Sequence, residues 1–338
     1  MTTTTDADKL PGGVSGRSWL PAVDANWIRE RGVYVALALL TIYNVIFTNH
    51  FNHYSSLETL MSQTPAVLIV SLGMLMVIGT GGIDLSVGAT MAIAAAVLGI
   101  MVAATDRGGH NASLTVAIIL ALLAGLAVGI FNGVVIGVVG VQPIVATLSL
   151  LVAGRGIALV ITSGHLLELF RPGLSKIGRG QFAKVPYVMI IALVLLVLVT
   201  ILMRRTTFGY RSVAIGGNLP ASVLAGLPVR RTIITVYALC GVLAAIAGVL
   251  ATARLRSADP SYVGLGLELN AITAVVVGGS ALSGGKVRIL GTFAGVVLMQ
   301  LLTTTLTSHN IPSSATSMAQ AVIIVAAVYI QRTSASIE

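Results

Sequence analysis

Few residues in this 338-residue chain have chemistry to offer, because only 9% are charged and 56% are hydrophobic. Among them Asp84 stands out. It sits in TGGIDLSVGAT between two long apolar runs, with Gly81 and Gly82 before it and Gly88 after it. That setting permits a broken or re-entrant helix. A carboxylate at membrane depth is costly unless it is paired or wet, which points to a pathway or helix-locking role. The alternative is a cap on a helix starting at Leu85, the carboxylate accepting an orphan backbone N–H. Arg155, in AGRGIA, lies inside another apolar run and must snorkel, pair with an acid or line water. Its neighbours Gly154 and Gly156 predict an irregular turn there. Asn132 follows Gly129 by three residues, so its amide faces a partner helix or an aqueous path. Gln142 precedes Pro143, which suits a first helical turn, and so marks a boundary. Glu268 and Asn270 open a later apolar run, where polar residues face a vestibule or simply lie at the interface.

The usual catalytic constellations are missing. There is no G-x-x-x-x-G-K-[ST] loop; the nearest segment, GGKVR at 284–288, lacks the hydroxyl residue and the upstream glycine spacing. The chain itself is therefore predicted not to hydrolyse ATP. Neither H-E-x-x-H, a Cys/His cluster nor G-x-S-x-G occurs, so no catalytic residue, metal or other cofactor is assigned to this chain. The single cysteine, Cys240, lies in an apolar run and is expected to serve helix packing.

The elements that must position these residues follow from hydropathy. A mean hydropathy of +0.97 excludes an ordinary soluble core. Apolar runs fall near 33–48, 65–80, 83–104, 113–139, 143–162, 186–203, 232–252, 269–282, 289–307 and 316–331. Each is on the scale of the roughly 20 residues that cross a bilayer. The expected fold is all-α and polytopic, with about ten transmembrane helices. Residues 1–31 are predicted to be a disordered cytoplasmic tail, 32–331 the transmembrane domain, and 332–338 a second cytoplasmic tail.

An even number of spans puts both termini on one side. If that side is the cytoplasm, it carries twelve basic residues, among them Arg204, Arg205, Arg230, Arg231, Lys286 and Arg288. Seven lie opposite, four of them in the loop 163–185, and Arg155 stays within a span. The positive-inside rule favours this orientation. It also accounts for the net charge of +9 without nucleic acid, since the basic residues lie mostly in loops.

Gly125, Gly129, Gly133 and Gly137 recur every four residues and line one helix face, which lets a second backbone approach closely. The segments GGIDLSVG at 81–88 and GGSALSGG at 278–285 share a pattern. Chance explains such an echo in a glycine-rich chain, and an internal repeat of the transporter kind is the alternative. In the loop 204–231, Asn218 can cap a short helix, Pro220 suits its first turn, and Gly226 and Pro228 end it. Val223, Leu224 and Leu227 would then meet a groove on a cytoplasmic partner, or anionic lipid.

TGGIDLSVGA, VGIFNGVVIG, QPIVATLSLLVAGRG and AVVVGGSALSGG together resemble ABC importer permeases of the ribose and galactofuranose type. The resemblance spans nearly the whole chain, and VQPIVATLSLLVAGRGIALVITSG is most similar to galactofuranose permease subunits. It implies a membrane-spanning permease of the bacterial inner membrane, forming the path for a monosaccharide. Its partners would be an ATP-binding subunit that holds ATP and Mg, a periplasmic sugar-binding protein, and a second permease chain, identical or paralogous. The coupling loop GGNLPASVLAGL resembles the segment that docks on the ATPase, with Ser222 where alanine is common. By that similarity Gly217, Asn218, Ala221, Ala225 and Gly226 are docking candidates. Asp84, Ser86, Asn132, Gln142, Arg155 and Asn270 are candidates for the path or its supports. A stand-alone secondary transporter is the competing expectation, for which Asp84 would be the coupling acid.

Overall fold

The structure, a computed structural model, describes residues 25–49, 51–103, 109–312, 314–323 and 325. The membrane-spanning body is built from α1 (Ala25–Phe47), α2 (Tyr54–Gly79), α3 (Val87–Val102), α4 (Leu114–Val134), α5 (Pro143–Ile161), α7 (Tyr187–Arg205), α10 (Val229–Leu255), α11 (Leu267–Val277) and α12 (Ile289–Ser308). Between them lie the short helices α6 (Pro172–Arg179), α8 (Thr207–Gly217) and α9 (Leu219–Leu224). Four two-residue strands also occur: β1 (Leu167–Glu168), β2 (Gln181–Phe182), β3 (Val185–Pro186) and β4 (Ser257–Ala258).

Each of the first nine apolar runs coincides with one of these body helices. The tenth is helical over 314–323, and its remainder lies outside the described residues apart from 325. Among the described residues six helices are long and apolar enough to cross a bilayer alone: α2, α4 with its extension, α5, α7, α10 and α12. The apolar parts of three others are shorter: Arg31–Phe47, Val87–Val102 and Leu267–Val277. At 1.5 Å per residue α11 is about 16 Å long and α3 about 24 Å, against a hydrocarbon thickness of about 30 Å. Both are preceded by partly buried non-helical chain, 80–86 and 256–266, in which Asp84, Ser86, Pro260 and Val263 are covered while Tyr262 and Leu265 are exposed. Non-helical backbone at membrane depth is tolerable where protein covers it.

Two boundaries shift from expectation. Helix α1 begins at Ala25, inside the stretch read as tail, and residues 1–24 and 332–338 lie outside the described residues. Helix α2 begins at Tyr54, because YSSLETLMSQT continues the helix beyond the apolar run with side chains suited to an interface.

Helices α2, α3 and α10 form the centre. The stripe of Gly125, Gly129 and Gly133 lies on α10: a Cβ on Gly125 would come 2.5 Å from that of Ala245, and one on Gly133 2.7 Å from Ile234 Cα. The sequence-based reading of these glycines as a packing surface therefore holds. Association in lipid depends on such contact, because hydrocarbon is as apolar as the side chains that face it. Helices α1, α5 and α7 expose Leu39, Ile46, Val152, Val160, Val197 and Leu198, which suits lipid or another apolar chain. At its end α4 widens into a π turn over Val135–Val139, closed by Gly140 at φ +85°.

The loops sort into two ends. At one end 79–86, 206–228 and 278–288 gather, with the Gly285 N–H donating to the Gly79 carbonyl at 3.3 Å. At the other, β1 pairs with β4, and the Tyr54 hydroxyl donates to the Lys184 carbonyl at 2.6 Å. The charged loop 163–185 is thus a folded cap holding α6 and the start of a β2–β3 hairpin, and contains no further span.

Candidate functional site

Two polar clusters converge on the first turn of α3. In the first, Asp84 Oδ1 accepts from the Ser86 N–H at 2.9 Å and from the Ser86 hydroxyl at 2.6 Å. Asn132 Nδ2, reaching over from α4, donates to Ser86 Oγ at 2.8 Å. All three side chains are buried, Asp84 being 2% exposed. No basic side chain pairs with Asp84 among the described residues. What supports its carboxyl is the Ser86 pair and the amino end of α3, where unpaired N–H groups favour negative charge. Cys240 and Tyr237 of α10 adjoin the carboxyl electrostatically. The Tyr237 hydroxyl and Asn132 Oδ1 are buried without partners among the described residues.

The interhelical hydrogen bond expected of Asn132 is present. Asp84 is both buried and engaged in a turn at a helix start, although α3 begins at Val87 with Ser86 as N-cap, not at Leu85. The difference arises because the Asp84 carboxyl folds back on Ser86, two residues ahead, and holds residues 84–86 outside the helix.

In the second cluster Arg155, on α5, donates from Nη1 to the carbonyls of Pro260 at 2.7 Å and Val263 at 2.6 Å. Backbone carbonyls thus satisfy this guanidinium within the bundle, with the acidic Glu268 and Asp259 as electrostatic neighbours. The loop holding Pro260 and Val263 packs on α3, where a Cβ on Gly88 would collide with the Gly264 carbonyl oxygen and come 2.5 Å from Oε2 of Glu268 at the start of α11. Contrary to expectation, Gly154 and Gly156 make no turn; α5 runs unbroken from Pro143 to Ile161. Gly154 instead lets α3 approach, a Cβ there lying 3.1 Å from that of Ala89.

The structure therefore joins Asp84, Ser86 and Asn132, and sets Arg155 in a separate group with the Pro260 and Val263 carbonyls. Gln142 and Asn270 join neither cluster: Gln142 is exposed before Pro143 and makes no side-chain cap, and Asn270 is half-buried on α11. Tyr237, Cys240 and Glu268 were absent from the expected site. The acid of Glu268 in an apolar run was the signal available, the same one that marked Asp84. Replacing Asn132 with leucine is expected to destabilise the chain by about 1–3 kcal/mol, because Ser86 loses its donor in a buried setting. Thermal unfolding in detergent checks this, and an unchanged midpoint would contradict it.

A separate group stands at the end where 79–86 and 278–288 meet. Asn218 caps α9 by accepting from the Ala221 N–H at 2.9 Å, Pro220 lies in the first turn, Ala225 is the C-cap, and Gly226 has φ +71°. Gly217 closes α8 immediately before it. The helix read from the sequence is present, and Leu224 at its tip is 89% exposed. Leu227 is half-buried and, with Val223, Ile136, Arg230 and Arg231, lines a groove of about 570 Å³ beneath α9. Helix α8, which leads into α9, was not foreseen.

The family described as branched-chain amino acid transport system / permease component matches residues 56–328. The galactofuranose transporter permease protein of Escherichia coli (strain K12) is 36% identical over 305 residues, covering 88% of each chain. The fructose import permease protein of Bifidobacterium longum (strain NCC 2705) is 35% identical, over 86% of this chain and 84% of its own. The ribose import permease protein of Bacillus subtilis (strain 168) is 35% identical, over 90% and 93%. No solved structure matches the chain.

Proposed function

The chain belongs to the branched-chain amino acid transport system / permease component family, and from that premise we propose that it forms the translocation path for a monosaccharide in an ATP-driven importer. The sugar, galactofuranose- or ribose-like, follows from relatives whose cargoes are galactofuranose, fructose and ribose. The observation that carries the ATP-driven part is α9: a capped six-residue helix whose Leu224, at its tip, is almost fully exposed. An apolar tip flanked by arginines suits a groove on another protein. In this reading it docks on an ATP-binding subunit that holds ATP and Mg. That subunit's movement on binding ATP displaces α9, and the path switches its access from one face of the membrane to the other.

The end bearing α9 is then cytoplasmic, both termini are cytoplasmic, and a periplasmic sugar-binding protein delivers cargo at the β1–β4 end. A second permease chain, the same or a paralogue, completes the path. Asp84, Ser86, Asn132 and Arg155 act as supports that fix the start of α3; Gln142 and Asn270 are offered to the path itself. Asp84→Asn is expected to lower uptake more than it lowers the amount of folded protein. Equal losses would make Asp84 a fold residue only.

Affinity purification from native membranes in mild detergent, with mass identification of what accompanies the chain, tests the assembly. A nucleotide-binding ATPase is expected in the complex. A repeatedly solitary chain would favour a secondary transporter.

A further inference from the structure

Three stretches of bare backbone meet where α8 hands over to α9. Gly216 lies so close to the end of α2 that a Cβ there would collide with the Gly79 carbonyl oxygen and reach 2.9 Å from the Gly285 nitrogen. A Cβ on Gly284 would lie 2.7 Å from the Gly216 oxygen and 2.8 Å from the Gly81 nitrogen, and one on Gly285 2.7 Å from Gly217 Cα. The hydrogen bond from Gly285 N–H to the Gly79 carbonyl closes the triangle. These contacts are backbone against backbone.

Each corner leads somewhere different. Gly217 is followed at once by Asn218, the cap of α9. Gly79 ends α2 and continues into 80–86, where Asp84, Ser86 and Asn132 hold the first turn of α3. Gly284 and Gly285 lie in the link between α11 and α12. The two loops are also those that share the GG-x-x-LS-x-G pattern, and they touch through the start of one and the end of the other.

We propose that this glycine junction is the joint through which displacement of α9 reaches both shortened helices at once, with Gly216 and Gly284 as its positioning residues. A contact made through long side chains absorbs a small displacement by changing rotamers. Backbone in direct contact cannot, so the segments move together or separate. One stub abutting two loops then moves the start of α3 and the end of α11 in a single step. The inference rests on α9 being the docking element.

The test uses the complete importer, with its ATPase and binding protein, reconstituted in liposomes, and measures ATP hydrolysed per sugar taken up at matched amounts of folded permease. Gly216→Ala and Gly284→Ala are expected to raise that ratio roughly tenfold. Gly248→Ala is the control: its Cβ would come 2.6 Å from the Met91 oxygen, a comparably tight contact between α10 and α3. It is expected to reduce folded yield and leave the ratio alone. An unchanged ratio in Gly216→Ala, in a complex that retains its ATPase, overturns the joint and leaves docking intact. A wild-type chain that recruits no ATPase overturns the proposed function instead.

A second measurement leaves the junction glycines in place. Spin labels at Ala214→Cys and Ser283→Cys, both exposed positions, are added while native Cys240 stays buried and unlabelled. Their separation is expected to be the same with and without bound ATP, while the separation from Ala214→Cys to Val160→Cys changes. A changed first distance, or an unchanged second one, overturns the proposal.

Discussion

Gly129→Leu is expected to abolish accumulation of the folded chain. A Cβ at Gly129 would collide with the Tyr237 carbonyl oxygen and lie 2.9 Å from Ala238 Cα. The contact is reciprocal, since a Cβ on Gly241 would lie 3.0 Å from Gly129 Cα. Helices α4 and α10 therefore meet backbone to backbone, and neither has a flexible side chain there that could give way. A leucine must push the helices apart. In lipid no hydrophobic effect between helices offsets the lost dispersion contact. Separation would also pull Asn132, three residues on, away from Ser86, whose bond to it is 2.8 Å long. Overpacking plus a broken buried bond gives an expected loss of about 3 kcal/mol or more. Gly156→Leu is the matched control, because nothing lies within 4 Å of a Cβ there. The membrane-fraction level and the monodispersity of the extracted chain read the difference. Equal behaviour of the two variants would contradict the packing account.

Replacing Asn218, Pro220 and Leu224 together by alanine is expected to leave a folded membrane domain whose partner ATPase hydrolyses ATP without driving uptake. The three residues act at successive levels. The Asn218 side-chain Oδ1 accepts the Ala221 N–H, and such a cap contributes about 1 kcal/mol. Pro220 presets the backbone of the first turn. Leu224 is the outward side chain at the tip, and truncating an apolar anchor of that kind removes much of an interface's energy. None of the three lies in the buried core, so folded yield should stay near that of the unaltered chain. Uptake should fall roughly tenfold to a hundredfold, with hydrolysis falling far less. Uptake that keeps pace with hydrolysis would count against α9 as the docking element.

What the sequence made legible was local. Helix α9 could be read because a cap, a proline and a left-handed glycine within nine residues carry their own physics, and the cap bond is present. Asp84 was conspicuous because an acid between glycines is rare in apolar sequence. The stripe ending at Gly137 announced that a backbone would come close, yet not that its partner would be α10, because pairing is set by side chains far apart in the chain. Arg155 was visible as a problem, and its solution was invisible. Its partners are the Pro260 and Val263 carbonyls, which carry no residue signature. The glycines beside it suggested a turn and serve instead as a groove for α3. Glu268 looked interfacial because it opens an apolar run; it is buried where the start of α11 packs on Gly88 of α3, a tertiary event. The shortness of α3 and α11 was hidden likewise, since hydropathy counts apolar non-helical residues as part of a span: 83–86 before α3 and 278–282 after α11.

The central claim is that this chain is the passage of an ATP-driven sugar importer. It is tested most directly in liposomes holding the chain with its co-purified ATPase, supplied with sugar-loaded binding protein, by following uptake of radiolabelled ribose and galactofuranose. The account predicts uptake that requires both ATP and the binding protein, and that disappears when the ATPase is omitted. Uptake by the chain alone, driven by a proton or sodium gradient and indifferent to ATP, would contradict it.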